Sequence, residues 1–187
     1  MIKVVYFILF IAICQGINSL NKPIFESEII SFEIDSTKCT VRAEYYFRNA
    51  DISEIINQVL FYPFPINEYT PFPESIDVIS PENHQMDYSQ VSNGIFFKVS
   101  IPSDSTVCYV VNYTQMLNIN KFEYILTSTQ KWGRPLSSAT FNIYHDPNLE
   151  LKSLSYKPDS TYIDSNKQVI RISKKQFLPI KNLIIEW

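Results

Sequence analysis

The sequence predicts an all-β protein, an antiparallel β-sandwich, with a barrel-like sheet as the alternative. Two observations favour this class. Aromatic and β-branched residues alternate with polar residues over many short stretches, as in Lys38 to Arg48, and a period of two residues is typical of half-buried strands. Turn-forming groups such as Ser92-Asn93-Gly94 separate these stretches. No segment of helical length after the N-terminus has an amphipathic period of 3.6 residues, so no substantial helix is expected there.

Length and composition limit the organisation of the chain. The 187 residues are 45% hydrophobic and 14% aromatic, which is enough apolar material for one core. We therefore expect a signal peptide at residues 1–19 and a single β-sandwich domain at residues 20–187. The net charge is −3 and no basic run occurs, which argues against a nucleic-acid partner. No cofactor is expected, because Gly16, Gly94 and Gly133 stand too far apart to form a phosphate-binding loop.

The N-terminus has the pattern of a secretory signal peptide. Lys3 precedes an unbroken apolar run from Val4 to Ile13, and this run is shorter than the roughly 20 residues that span a bilayer. Cleavage is expected after Gly16 or Ser19. The alternative is a lipid anchor at Cys14, although the residue before it is not the small one that a lipobox uses. The mature chain is thus expected to be secreted or periplasmic, without a membrane span.

Strands are expected along most of the remaining chain. Each is supported by two-residue alternation, and the Asn93-Gly94 pair predicts a hairpin between two of them. The predicted strands cover residues 25–34, 38–48, 55–62, 75–79, 85–90, 95–101, 106–116, 122–129, 139–144, 149–156, 169–172 and 182–187.

The least generic stretch is Phe122 to Tyr144, which we interpret as two strands joined by a tight corner. Gly133 can adopt a positive φ, and Pro135 fixes φ and lacks an N–H donor. Trp132 and Arg134 are candidate binding residues at this corner. The alternative is a packed corner in which the Trp132 ring closes one end of the core, with its indole N–H bound to an acceptor.

Two resemblances to known families lie in these segments. Tyr124 to Leu136, of pattern Tyr-x-Leu-Thr-Ser-x-x-x-Trp-Gly-x-Pro-Leu, together with Phe177 to Trp187, resembles bacterial exported β-proteins grouped as domains of unknown function. Val41 to Asn49, followed by Phe61 to Pro65, resembles the N-terminal β-domain of inter-alpha-trypsin inhibitor heavy chains. This chain departs from the second family in its long proline-rich loop. The resemblances imply a β fold and export, and neither implies catalytic residues.

The segment Tyr62 to Pro73 alternates prolines with aromatic residues and is the best candidate for a binding loop. Proline lowers the entropy cost of ordering a loop, and exposed aromatic rings supply contact area for a glycan or a peptide. The candidate binding residues here are Tyr62, Phe64, Tyr69 and Phe72. The alternative is that these rings fold back over the end of the sandwich. The predicted function is a non-enzymatic binding or structural module, whose partner is an envelope protein or a glycan.

Cys39 and Cys108 both lie in predicted strands. In an oxidising compartment two such cysteines predict a disulfide, which would close a loop of about 70 residues. The alternative is a pair of separately buried thiols.

The sequence contains little that indicates catalysis. It has no Gly-x-Ser-x-Gly motif, and its two histidines, His84 and His145, lack the spacing of metal ligands. We expect both histidines at the surface and no metal site. The sequence therefore predicts that the protein is not an enzyme. The alternative function is a small extracellular hydrolase with a site at one end of the sandwich, using His145 and Asp146.

Overall fold

A computed structural model describes residues 22–187, so the predicted signal peptide and Cys14 lie outside the described residues. Fourteen strands and one 3-10 helix, Thr127–Trp132, make up the secondary structure of this part of the chain. The strands are β1 Ile24–Ile34, β2 Lys38–Asn49, β3 Ile56–Pro63, β4 Ser75–Ile79, β5 Gln85–Met86, β6 Tyr88–Val91, β7 Gly94–Ile101, β8 Ser105–Met116, β9 Lys121–Tyr124, β10 Leu136–His145, β11 Ser153–Leu154, β12 Ser160–Asp164, β13 Lys167–Phe177 and β14 Leu183–Glu186.

Eight strands form one large sheet in the order β12-β13-β10-β1-β2-β8-β4-β5. All neighbours in this sheet are antiparallel except β1 and β10, which run parallel from the pair Ser27 and Ser138 to the pair Ile34 and His145. The end strands β12 and β5 each have one neighbour, so the sheet is open and does not close like a barrel. The predicted all-β, sandwich-like class is confirmed, with one parallel pair inside it.

The second layer of the sandwich is divided into two three-stranded sheets, β11-β14-β9 and β3-β7-β6. Ring contacts join both to the large sheet. Phe32 of β1 packs against Tyr124 of β9 with ring centroids 5.1 Å apart, and Tyr45 of β2 packs against Tyr62 of β3 at 5.8 Å. Because β9 and β3 each have a single neighbour, both present a free edge within this layer.

The core follows the two-residue period of the strands. In β2 the residues Cys39, Val41, Ala43, Tyr45 and Phe47 are all buried, as the alternation predicts. Full burial of a large apolar side chain contributes about 1.5–3 kcal/mol to stability. The largest fully buried side chains of the described core are Phe32, Phe122, Phe141, Ile30, Ile95, Ile101, Leu126, Leu136, Ile143, Ile172, Leu183 and Ile185.

The predicted strand 122–129 is wrong beyond Tyr124, where β9 ends and the chain turns into the 3-10 helix. The side chain of Asn182 stabilises this turn. Its Oδ1 accepts hydrogen bonds from the backbone N–H groups of Leu126, at 3.1 Å, and Thr127, at 3.2 Å. Gly133 ends the helix with φ of 69°, the positive value that its lack of a Cβ allows.

The C-terminal quarter also differs from the prediction. The expected strand 149–156 is reduced to Ser153–Leu154, and β12 at Ser160–Asp164 was missed. A tight hairpin joins β12 to β13 through Ser165 and Asn166, whose φ values are 50° and 67°. Two successive positive φ values suit a hairpin turn, and asparagine tolerates them better than most residues do.

The predicted disulfide between Cys39 and Cys108 is wrong, and both thiols are free. Cys39 of β2 pairs with Gln115 of β8, whereas Cys108 pairs with Tyr46. The two cysteines therefore stand seven positions apart along the ladder, roughly 23 Å at about 3.3 Å per residue. A disulfide needs Cα atoms within about 7 Å of each other. Cys39 also faces the core, while Cys108 lies on the opposite face of the sheet.

Alkylation with iodoacetamide tests the state of these thiols. Cys39 is completely buried and Cys108 partly buried, and burial raises the pKa of both thiols. Because the thiolate is the reactive form, we expect no label on native Cys39 and slow labelling of Cys108. After unfolding without reductant, both should be labelled, as intact mass would show. If the native Cys39→Ser variant is labelled at the same slow rate, the slowly labelled residue is Cys108. If neither cysteine is labelled in the unfolded protein, the two thiols are joined in a disulfide and the description of free thiols is wrong.

No helix within residues 22–187 is long and apolar enough to cross a membrane.

Candidate functional site

A cleft of about 680 Å³ opens where the free edges of β3 and β9 leave a gap in the second layer. We call it the inter-sheet cleft. Its size falls within the range of about 300–1,000 Å³ that is usual for ligand sites. The large sheet supplies the floor, β3 supplies one wall, and the end of β9 with the 3-10 helix supplies the other. The residues that define it include Phe25, Glu28, Tyr45 and Phe47 on the floor, Gln58–Pro63 on the first wall, and Tyr124, Ser128, Lys131 and Trp132 on the second.

The floor contains a buried carboxyl group, Glu28. It lies on the same face of β1 as Ile30 and Phe32, and only 3% of it is exposed. Its Oε1 has no hydrogen-bond partner. Burial raises the pKa of Glu28 from 4.5 to about 8, since a low-dielectric surrounding disfavours the charged form. The carboxyl group is therefore mostly protonated at neutral pH while the cleft is empty.

Three tyrosine hydroxyl groups meet at the inner end of the cleft. Tyr45, Tyr62 and Tyr124 come from three different sheets, and we call them the tyrosine triangle. The Tyr62 oxygen lies 3.2 Å from that of Tyr45 and 3.0 Å from that of Tyr124, and Tyr45 and Tyr124 are also hydrogen-bonded. The triangle ties the three sheets together at one point.

Further aromatic rings line the same cleft. Trp132 packs against Phe25 and Phe47, with ring centroids 5.5 Å apart in both cases, and Phe25 lies 5.2 Å from Phe47. A bulge in β1 between Phe25 and Ser27 turns the Phe25 ring toward the floor. Aromatic rings thus form a large part of the cleft lining, together with one buried carboxyl group.

The structure brings together only two of the six predicted binding residues. Tyr62 and Trp132 both line the inter-sheet cleft, whereas the exposed Arg134 is not among its lining residues. The packed-corner alternative describes part of the role of Trp132, because its ring contacts Phe25 and Phe47. Its half-buried position also leaves part of the ring to the cleft.

The proline-aromatic loop folds back over the sandwich for most of its length. Phe64 is buried, with its ring 4.9 Å from Tyr113 and 5.3 Å from the half-buried Phe72. Tyr69 is 46% exposed. The side chain of Gln115 donates a hydrogen bond to the carbonyl of Pro71 at 2.7 Å, which pins the loop to β8. Of the four predicted binding residues in this loop, Tyr69 projects to solvent and Tyr62 faces the cleft.

The prediction that His145 lies at the surface is wrong. Strand β10 continues through His145, whose side chain faces the core with Ile143 and is buried. Its Nδ1 lies 2.9 Å from the carbonyl oxygen of Asp146, and its Nε2 has no partner. The Asp146 carboxylate instead accepts the N–H of Asn148 in the following turn at 2.7 Å. His84 is exposed, as expected. Residues 22–187 bring no three His, Cys, Asp or Glu side chains together in an arrangement suited to a metal ion.

Glu28 was missed by the reading of the sequence, although a signal for it exists. The period that places Ile30, Phe32 and Ile34 on one face of β1 places Glu28 on that face as well. A carboxyl group on the apolar face of a strand is rare unless it is paired. Extending the alternation by one position would have identified Glu28 as a candidate functional residue.

No protein-family model and no curated protein matches this sequence. Several solved structures share the fold. One is described as a "putative nutrient binding protein" from Legionella pneumophila, with a TM-score of 0.68 and 12% identity, and the match covers 87% of this chain and 66% of that one. Another is an M1 zinc metallopeptidase variant from Deinococcus radiodurans with a bound Tyr-Ser-Ala substrate, with a TM-score of 0.53 and 6% identity. That match covers 88% of this chain and 42% of the peptidase.

These likenesses concern the fold, and they correct one prediction. This chain spans just under two thirds of the length of the Legionella pneumophila protein and less than half of the metallopeptidases. The prediction that the protein is not an enzyme is contradicted, because the same fold recurs within M1 zinc metallopeptidases at 6–8% identity. The absence of a nucleophile motif therefore does not exclude an enzyme. A likeness at this identity shows a shared fold and assigns no reaction.

Proposed function

We propose that the protein is a binding module and that a short extended peptide binds in its inter-sheet cleft. The observation that carries this proposal is the free edge of β3, which forms one wall of the cleft from Gln58 to Pro63. A strand with one neighbour leaves backbone N–H and C=O groups unpaired along its other edge. An extended peptide can satisfy such groups by adding a strand, while its side chains enter pockets on alternate sides.

The dimensions of the wall suit a peptide of five or six residues. Six residues of strand extend over roughly 20 Å at about 3.3 Å each. Val59 and Phe61 are exposed along this strand, at 54% and 39%, and offer apolar contacts to a partner. A glycan would instead rely on exposed ring faces, and in the proline-aromatic loop Tyr69 is the ring that projects. The unpaired backbone edge of β3, which forms a wall of the cleft, therefore favours a peptide over a glycan.

Two further observations support the proposal. The likeness to a protein described as nutrient-binding is consistent with a binding module. The apolar run from Val4 to Ile13 after Lys3 favours export, and we propose that the mature protein acts outside the cytoplasm. Peptides and envelope proteins are accessible to a binding module in that location.

Retention of hexapeptides tests the proposal. The purified protein is incubated with a pool of hexapeptides that alternate threonine with apolar residues, and the retained fraction is identified by mass spectrometry. We expect enrichment of a subset of these peptides, and at least a tenfold loss of their affinity in Ser128→Phe, whose new ring would fill the cleft. Ser138→Phe is the matched control, because Ser138 is exposed on β10 outside the cleft lining.

Three results would contradict the peptide proposal. One is retention of no peptide from the pool. Another is equal retention by both phenylalanine variants, which would place the ligand elsewhere. The third is retention of maltohexaose or chitohexaose in place of the peptides, with the same sensitivity to Ser128→Phe, which would assign the cleft to a glycan.

A further inference from the structure

We propose that the inner end of the inter-sheet cleft binds an organic ammonium group, with Glu28 as its counter-ion and the surrounding aromatic rings as its walls. This inference deepens the proposed function and rests on the cleft being a ligand site. The ligand would place a primary amine at the floor of the cleft, such as a lysine side chain or a free N-terminus.

The first argument is the missing partner of Glu28. Buried carboxyl groups are normally paired or fully hydrogen-bonded, because an unsatisfied one costs stability. None of the ion pairs found in the described chain includes Glu28, and its Oε1 has no hydrogen-bond donor. Lys22 and Lys131 line the cleft, but both are exposed. No side chain among the described residues donates to Oε1, so a bound molecule can supply this donor.

The second argument is the nature of the walls. The cleft that Glu28 lines is also lined by the rings of Phe25, Tyr45, Phe47, Tyr124 and Trp132. The face of an aromatic ring attracts a cation within about 6 Å of its centroid, and the attraction is stronger where water is excluded. A carboxylate or phosphate ligand would face both the ring quadrupoles and the carboxyl group of Glu28. A cleft lined by aromatic rings and by the carboxyl group of Glu28 thus favours a cationic ligand.

The third argument concerns the groups that titrate around Glu28. Four tyrosine hydroxyl groups interact electrostatically with Glu28, and burial is the main cause that raises the pKa of each. These hydroxyl groups therefore stay neutral over the pH range in which Glu28 ionises. They come from β2, β3, β9 and the segment after β11, and they are Tyr45, Tyr62, Tyr124 and Tyr156. Among these groups Glu28 alone changes charge near neutral pH. A bound ammonium group stabilises its ionised form, so binding releases the proton that Glu28 holds in the empty cleft.

The test compares phenethylamine with its neutral counterpart 2-phenylethanol. Affinity is measured by calorimetry between about pH 6 and pH 8, in two buffers of different ionisation enthalpy so that released protons are counted. We expect phenethylamine to bind about tenfold more tightly at pH 7 than at pH 6 and about fivefold more tightly again at pH 8, because only the ionised carboxyl group, whose pKa is about 8, pairs with it. Close to one proton should be released per amine bound near pH 7. At about pH 8, 2-phenylethanol should bind at least tenfold more weakly than the amine.

Two variants make the test specific. Glu28→Gln keeps the shape of the side chain and should abolish the pH dependence, the proton release and the preference for the amine. Glu26→Gln is the control, since Glu26 lies on the same strand but outside the cleft lining, and it should behave like the parent protein.

The outcomes separate this inference from the peptide proposal. The ammonium site is overturned if 2-phenylethanol binds as tightly as phenethylamine, if Glu28→Gln keeps the pH dependence, or if phenethylamine does not bind. Retention of hexapeptides together with any of these results leaves the peptide proposal standing. Binding of phenethylamine that depends on Glu28, without retention of any hexapeptide, establishes the ammonium site and overturns the peptide proposal.

Discussion

Replacing Glu28 by glutamine is expected to make the protein more stable at about pH 8 and to leave its stability at about pH 4 nearly unchanged. The pKa of this buried carboxyl group is about 8 in the folded protein and 4.5 as its ordinary value. Between these values the folded state keeps a proton that the unfolded chain has lost. Stability that depends on this proton is fully present below pH 4.5 and is lost as the pH rises through 8.

The size of this change in stability follows from the one proton that Glu28 keeps in the folded state. In the interval between the two pKa values, the free energy of unfolding should fall by about 1.4 kcal/mol for each pH unit. Over the whole interval from pH 4.5 to about 8 the loss is about 5 kcal/mol. Glutamine has no proton to lose, so the Glu28→Gln curve should lack this slope and lie above that of the parent protein at alkaline pH.

Urea denaturation at several pH values measures the difference directly. The free energies of unfolding of the parent protein, Glu28→Gln and the control Glu26→Gln are compared from about pH 4 to pH 9. Glu26→Gln should follow the parent, because no buried charge is removed. Parallel curves for the parent and Glu28→Gln would mean that Glu28 titrates as an ordinary carboxyl group, and the description of the cleft floor would be wrong.

Replacing Gly94 by alanine is expected to destabilise the protein by about 3 kcal/mol. A Cβ at this position would overlap the carbonyl oxygen of Tyr62 and would lie 2.6 Å from Cε2 of Phe61. Gly94 pairs with Pro63 at the start of β7, so the obstruction is backbone of the neighbouring strand. Relief requires β3 to move, and because β3 forms a wall of the inter-sheet cleft, binding in the cleft should weaken as well.

Gly133→Ala provides a matched control for this substitution. Gly133 has φ of 69°, but nothing lies within 4 Å of a Cβ built on it. Its replacement should cost only about 1 kcal/mol, the price of a positive φ for alanine. Thermal and urea unfolding of both variants show which substitution lowers the free energy of unfolding more. A larger loss in Gly133→Ala than in Gly94→Ala would contradict the packing of β3 against β7.

Local patterns in the sequence determined much of the fold. The two-residue period identified the inward face of β2, from Cys39 to Phe47, because alternation along a strand is set by the backbone itself. The hairpin predicted at Ser92-Asn93-Gly94 is present between β6 and β7, although Gly94 belongs to β7 and pairs with Val91, and Gly133 was correctly expected at a positive φ. These features depend on a residue and its nearest neighbours in the chain, so the sequence alone suffices to predict them.

Pairing between distant segments was decided only by the tertiary structure. The parallel pairing of β1 with β10 and the register of β2 on β8 both follow from packing across the whole domain. That register separates Cys39 from Cys108, and the continuation of β10 buries His145. Neither outcome is encoded in the residues next to these positions.

The candidate site shows the same division. The sequence places Glu28 on the apolar face of β1, and it supplies Tyr62 and Trp132 as prominent aromatic residues. It does not show that the second layer divides between β3 and β9 and leaves a cleft above Glu28. Strand alternation is a property of the local backbone, whereas a gap between two sheets depends on how many strands from distant parts of the chain fill one layer. The sequence therefore determined the side chains of the site, and only the packing of the sheets decided that they surround a common space.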